Sequence, residues 1–167
     1  NTGNLILVIG KTIGHLEQSI FARNILSEKK GPPPEVNLFN EKNNGLTTLK
    51  LIKENLIESC HDVSLGGIIV AISKMCLKGK KGIKINQLKG LINKFEYFFG
   101  EDQARYLVEI KKENLTKVDK ILKENSVHYD ELGTVIDENI EFSDEIKLSI
   151  DDLEKTYKSW LRKYMIN

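Results

Sequence analysis

Apolar positions along this chain follow two rhythms, short unbroken runs and stripes spaced three or four apart, and the two interleave from one end to the other. Residues 5–9 form a continuous apolar run closed by Gly10, which predicts a buried strand. Ile20, Phe21, Asn24 and Ile25 carry helical spacing within a stretch that reaches Ser27. Pro32, Pro33 and Pro34 lack N–H donors and favour extended geometry, so residues 29–37 read as a strap over a surface. Leu49, Ile52 and Leu56 predict a helix within 45–59, followed by a short strand at 60–63 and an apolar helix over 65–77. Residues 82–86 alternate as a strand, 87–94 are weakly helical, and 106–110 are a strand of apolar β-formers. Leu115, Val118, Ile121 and Leu122 mark an amphipathic helix over 114–125. Three further strands are predicted at 128–135, 140–142 and 146–150. A terminal helix from Asp151 carries an apolar stripe of Trp160, Leu161 and Tyr164, expected to dock on the same domain.

Strands and helices interleave irregularly, and at least two late strands follow one another as hairpin partners. The expected fold class is therefore α/β in the broad sense (α+β), one mixed β-sheet packed with helices. With 167 residues and no internal repeat, residues 1–167 read as a single domain, long enough for a substantial core without disulfides or metal. Lys and Arg number 25 against 24 Asp and Glu, so no net field favours nucleic acid or anionic lipid. No apolar run has the length of a membrane span, and no signal-peptide pattern opens the chain. Cys60 precedes the start of the 65–77 helix and Cys76 lies near its end, so no disulfide is expected between them, which fits a reducing, cytoplasmic setting. The chain opens Asn1-Thr2-Gly3 and moves straight into a strand, as expected of a piece of a longer multi-domain polypeptide.

Two segments carry candidate chemistry. In the run from Cys60 to Ile72, a strand end delivers His61 and Asp62 to the start of an apolar helix. Ser64 is a good N-cap, and Gly66 and Gly67 remove the Cβ atoms that would keep an anion from the unpaired N–H groups there. The same pattern also describes a capped helix whose glycines let it pack closely on a sheet. In the second segment, Phe99 to Val108, strand alternation would put Glu101, Gln103 and Arg105 on one face and Asp102, Ala104 and Tyr106 on the other. That trio suits a phosphate or ribose, Arg105 offering a bidentate fork, but it equally allows an internal Glu101–Arg105 ion pair. His61 and Asp62 are adjacent on a strand, so they are expected not to pair. His61 is placed at the site edge, and Asp62 is assigned to the loop or to a magnesium-bound water. His15 and His128 are isolated, no Cys/His spacing indicates zinc, and no Walker motif occurs. The basic turn at 78–81 reads as a solvated connection.

Taken together the two segments resemble the last domain of the large subunit of phosphoribosylformylglycinamidine synthase, in the aminoimidazole ribonucleotide synthetase superfamily. Residues 7–12 are similar to that domain's opening strand and Gly-x-Thr turn, residues 31–38 to its Pro-rich strap, residues 132–135 to a late strand and residues 160–165 to the bacterial C-terminus. The resemblance implies an ATP-dependent ligase of purine biosynthesis. ATP and Mg2+ activate the formamide oxygen of formylglycinamide ribonucleotide, and glutamine-derived ammonia then displaces phosphate to give the amidine. It implies as partners the upstream domains, a glutaminase subunit and a small accessory subunit, and no catalytic residue within this part, which alone should be inert. By resemblance the phosphate-binding set is His61, Asp62, Ser64, Gly66, Gly67, Glu101, Gln103 and Arg105, with Gly10 and Thr12 more weakly and Asp62 toward the metal; Arg105→Ala is expected to weaken binding without unfolding. Two departures stand out: Glu17 and Gln18 occupy positions where many members carry two glycines, and Asp102 stands where the second motif has Ser. Other superfamily members, such as aminoimidazole ribonucleotide synthetase, selenide water dikinase, thiamine monophosphate kinase or the hydrogenase maturation protein, and a non-catalytic docking module are the alternatives.

Overall fold

The apolar run near the start becomes the middle of the sheet. The computed structural model describes residues 1–87, 92–142 and 146–166. Every residue of β1 (Leu5–Ile9) is buried because helices cover both of its sides. Ile6 and Val8 belong to one core, and Leu5, Leu7 and Ile9 to the other. The remaining strands are β2 (Ser59–Asp62), β3 (Gly82–Ile85), β4 (Tyr106–Ile110), β5 (Tyr129–Ile136), β6 (Asn139–Phe142) and β7 (Ile146–Ser149). Their spatial order is β2-β4-β1-β5-β3-β6-β7. β3 and β6 run parallel and every other neighbouring pair is antiparallel, so the sheet is mixed as expected.

The α-helices among the described residues are α1 (Ile20–Asn24), α2 (Leu38–Lys53), α3 (Gly67–Gly79), α4 (Lys94–Phe99), α5 (Leu115–Glu124) and α6 (Ile150–Ile166). On one face Ile68, Ala71 and Ile72 of α3, Phe98 of α4 and Ile150 of α6 meet Ile83, Leu107 and Leu132. On the other, Leu51 of α2 and Val118, Ile121 and Leu122 of α5 meet the odd-numbered side chains of β1 with Val108 and Ile110.

Several boundaries differ from the sequence reading for identifiable reasons. α2 begins at Leu38, not Gly45: the Asn37 side chain accepts from the Asn40 N–H at 3.0 Å and caps it. Asn44, Thr47 and Thr48 are buried along it, so tertiary packing outweighs the weak helix propensity of the Asn-rich stretch. α4 was not foreseen; Asn93 caps it in a reciprocal capping box with Glu96, and residues 88–91 of the weak helix expected at 87–94 lie outside the described residues. The terminal stripe does not dock. Trp160 and Tyr164 are exposed, with ring centroids 6.5 Å apart, while only the first turns of α6 reach the core through Ile150 and Leu153.

Candidate functional site

Both motif segments converge where β1 ends. A Cβ on Gly10, whose φ is 94°, would lie 2.4 Å from the Ala104 carbonyl oxygen and 3.1 Å from Arg105 Cγ. Glycine here lets the loop after β1 lie directly on residues 101–105. Those residues are not a strand. Ala104 has a φ of 57° and β4 begins only at Tyr106, so the expected alternation of Glu101, Gln103 and Arg105 against Asp102 and Ala104 does not hold. A bend forms instead, and it turns Asp102 toward Arg105.

Asp102 and Arg105 brace this bend from inside. One carboxylate oxygen of Asp102 accepts from the N–H groups of Ile13 and Gly14, both at 2.9 Å, and the other accepts from the His15 N–H at 3.0 Å. Successive backbone N–H groups form an anion-binding concavity, and here its anion is the protein's own side chain. Arg105, 2% exposed, donates from Nε to the Asp102 carbonyl at 3.1 Å, from Nη1 to Thr12 Oγ1 at 3.3 Å and from Nη2 to the Gly100 carbonyl at 2.7 Å. Nη1 also lies 3.6 Å from Asp102 Oδ2. Burial pulls the guanidinium pKa down, and the Asp102 carboxylate is the strongest influence opposing it. The internal ion pair is therefore Asp102–Arg105, in place of the Glu101–Arg105 pair weighed from the sequence.

Glu101 closes a second set of donors. Its Oε1 accepts from the Ile20 N–H at the start of α1 and from the Gly66 N–H just before α3, each at 2.8 Å. A carboxylate at two helix N-termini satisfies orphan N–H groups and complements both dipoles. Ser64 is not the N-cap of α3. Gly66 is, in a left-handed conformation with φ 85°, and Ser64 contributes its carbonyl to the Gly67 N–H at 3.0 Å. The chain turns once more before the helix starts, which moves the start from residue 65 to Gly67. A Cβ on Gly67 would meet the Phe98 and Gly100 carbonyl oxygens at 2.6 and 2.8 Å, so this glycine is where α3 and the end of α4 touch. His61 and Asp62 do interact, against expectation. The His61 Nδ1 lies 2.6 Å from its neighbour's carbonyl and 3.4 Å from Asp62 Oδ1, because the side chains bend back at the exposed strand end.

The structure thus divides the expected set. Glu101, Arg105, Gly66, Gly67, Gly10 and Thr12 share one buried network, Gln103 is exposed beside it, and His61, Asp62 and Ser64 stand apart at the end of β2. The Gln103 side chain reaches only the Glu101 carbonyl, at 3.5 Å. Among the described residues no group of three or more His, Cys, Asp or Glu side chains could hold a metal ion. At the start of α3 the Gly66 N–H is taken by Glu101 and the Gly67 N–H by the Ser64 carbonyl, and in the loop after β1 the N–H groups of Ile13, Gly14 and His15 are taken by Asp102.

Both departures from the family pattern have a structural use. Gln18 keeps a left-handed backbone, φ 61°, at a glycine position, and its Nε2 donates to the Gly31 carbonyl at 3.0 Å. His15 Nε2 lies 3.0 Å from the Pro32 carbonyl, so the strap is tied down at two points. Between strap, bend and α2 lies a cleft of about 360 Å³ lined by Lys11, Asn37, Asn40, Asn44 and Gln103 among others. Asn44 also donates to the Ala104 carbonyl at 2.8 Å. These three asparagines escaped the sequence reading, although their spacing of three and four is the signal of one polar helix face.

The family model for the AIR synthase related protein, C-terminal domain, matches residues 1–144. The chain belongs to this family. The chain is 62% identical, over 98% of its length, to the phosphoribosylformylglycinamidine synthase subunit PurL of Pelagibacter ubique, and spans 22% of that relative. In fold it is similar to Thermotoga maritima PurL complexed with FGAR, with a TM-score of 0.72 and 20% identity over 92% of this chain and 28% of that one. The same protein complexed with ATP gives 0.67, at 18% identity over 90% and 25%. The chain therefore spans about a fifth of the length of the curated relatives it matches.

Proposed function

We propose that this chain is the C-terminal domain of the large subunit of a phosphoribosylformylglycinamidine synthase, a ligase that consumes ATP and ammonia derived from glutamine in purine biosynthesis. One observation carries the reading: the 62% identity to Pelagibacter ubique PurL holds across 98% of the chain, strap, bend and terminal helix included. Formylglycinamide ribonucleotide and ATP are the proposed substrates of the whole protein, with magnesium beside the ATP. A glutaminase subunit, a small accessory subunit and further domains of the same polypeptide are its proposed partners, and the cytoplasm its setting.

Within that enzyme the bend supplies rigidity rather than chemistry. Asp102 and Arg105 fix the loop after β1, Glu101 fixes the starts of α1 and α3, and Gln18 fixes the strap. The ligand-facing surface is then the polar cleft these elements frame, where Lys11, Gln103, Asn37 and Asn40 present a cation and amides suited to a phosphorylated ribose. The test is ammonia-dependent turnover of formylglycinamide ribonucleotide and ATP. A polypeptide of the relatives' full length should turn over, and this chain alone should not. In the long form, Lys11→Ala with Gln103→Ala should raise KM for the ribonucleotide without lowering the unfolding midpoint. Turnover by the chain alone, or an unchanged KM, overturns the reading.

A further inference from the structure

Two features remain unused by the network around β1, namely His61 and the lysines near the end of α3, and both border one cavity. It lies at the opposite end of α3 from Glu101 and has a volume of about 250 Å³. Ile6, Ile72, Met75, Ile83 and Val135 line it from β1, α3, β3 and β5, and Cys76 adds a buried thiol that burial pushes up to about 12, so it stays neutral. Lys74 and Lys78 stand at its mouth, one helical turn apart and exposed. Neither has an ion-pair or hydrogen-bond partner among the described residues, whereas the third lysine there, Lys81, is held by Asp137 at 2.7 Å. The carboxylate that borders the cavity, Glu109, accepts from Asn4 Nδ2 at 2.7 Å and Ser59 Oγ at 2.8 Å.

Apolar walls exclude a wholly polar ligand, and two unpaired cations at the mouth exclude a cationic one. The volume falls below the roughly 300–1,000 Å³ of pockets for drug-sized ligands, so the occupant is small. We infer that this cavity binds a small amphiphilic carboxylate, its apolar body among Ile72, Met75 and Val135 and its carboxylate between Lys74 and Lys78. Lys78 lies in the last turn of α3, where the helix dipole favours a cation and disfavours an anion, so the two ammonium groups and not the helix supply the attraction for the headgroup.

The experiment titrates octanoate into the chain labelled with 13C at the methionine methyls. Met75 borders the cavity and Met165, near the chain end, is exposed and serves as the control. Octanoate should shift the Met75 methyl saturably and leave Met165 in place, and octylammonium should not. Lys74→Glu with Lys78→Glu, both on the surface, should weaken octanoate by about tenfold or more while leaving the fold intact. Ile72→Trp should abolish the shift by filling the cavity. The proposal fails if Met75 does not respond, if octylammonium binds equally well, or if the lysine variant binds octanoate as tightly as the parent.

Discussion

The two ends of α3 are built on opposite plans. At its start the charges of the bend are spent inward: Glu101 takes the N–H groups of Ile20 and Gly66, and Asp102 and Arg105 face each other under the loop. At its finish Lys74 and Lys78 stand unpaired over an apolar hollow. The end whose sequence looked most like a binding motif is thus the braced one, and the end that read as an ordinary solvated turn is the open one. Residue types that recognise phosphate are the same types that tie loops together, and only the partners decide between the uses.

The largest effect expected at the braced end is from Arg105→Ala. It removes three internal donations and leaves Asp102 buried without its counterion, for a loss of roughly 3–5 kcal/mol by urea denaturation. This replaces the expectation that the variant folds normally, and Arg105→Lys should recover only part of the loss because an ammonium cannot span the three acceptors. A loss below about 1 kcal/mol, no more than an ordinary hydrogen bond, would erase the contrast between the two ends. Gly67→Ala comes next. The left-handed φ of 69° and the backbone atoms 2.6–2.9 Å from a new Cβ predict a cost of roughly 1–3 kcal/mol, read as a lower thermal midpoint.

A smaller, pH-dependent effect belongs to the open end. In this chain alone, burial would raise the Glu109 pKa, but hydrogen bonds from its terminal ammonium, Asn4 and Ser59 outweigh it and hold the carboxyl below its usual 4.5. A carboxyl depressed in the folded state adds stability that is present above its unfolded pKa and is lost as pH falls through the folded one. Glu109→Gln should therefore flatten the acid limb of stability against pH below about 4.5, and an unchanged limb would show the pairing to be weightless. The smallest effect is the sharpest foil to Arg105: Lys74→Glu with Lys78→Glu should move the unfolding free energy by no more than about 0.5 kcal/mol per site.

Much of the fold was legible because hydrophobic spacing reports burial directly. The unbroken run in β1 marks a strand covered on both sides, and Val118, Ile121 and Leu122 lie on the buried face of α5 as their spacing required. What could not be read were features set by distant contacts. Asn37 to Asn44 lack the propensity for a helix and form one because Asn44 and Leu51 are held by the bend and the sheet. The site was legible in membership but not in use. Glu101, Asp102 and Arg105 do gather with Gly10, Thr12 and Gly66, yet a single left-handed residue, Ala104, cancels the alternation from which their outward direction was inferred.

The placement of β1 also bears on how the polypeptide acquires its shape during synthesis. Its neighbours are β4, through pairs such as Leu5 with Ile110, and β5, through pairs such as Ile9 with Tyr129. Among the described residues, none of the first hundred pairs with it. At ribosomal rates of about 5–20 residues per second, this most apolar strand waits on the order of ten seconds for its partners. Until then it is an unpaired edge with aggregation potential on both sides. The sheet can close around β1 only late in synthesis, and a truncation before residue 106 should leave both of its edges in search of a strand from another molecule.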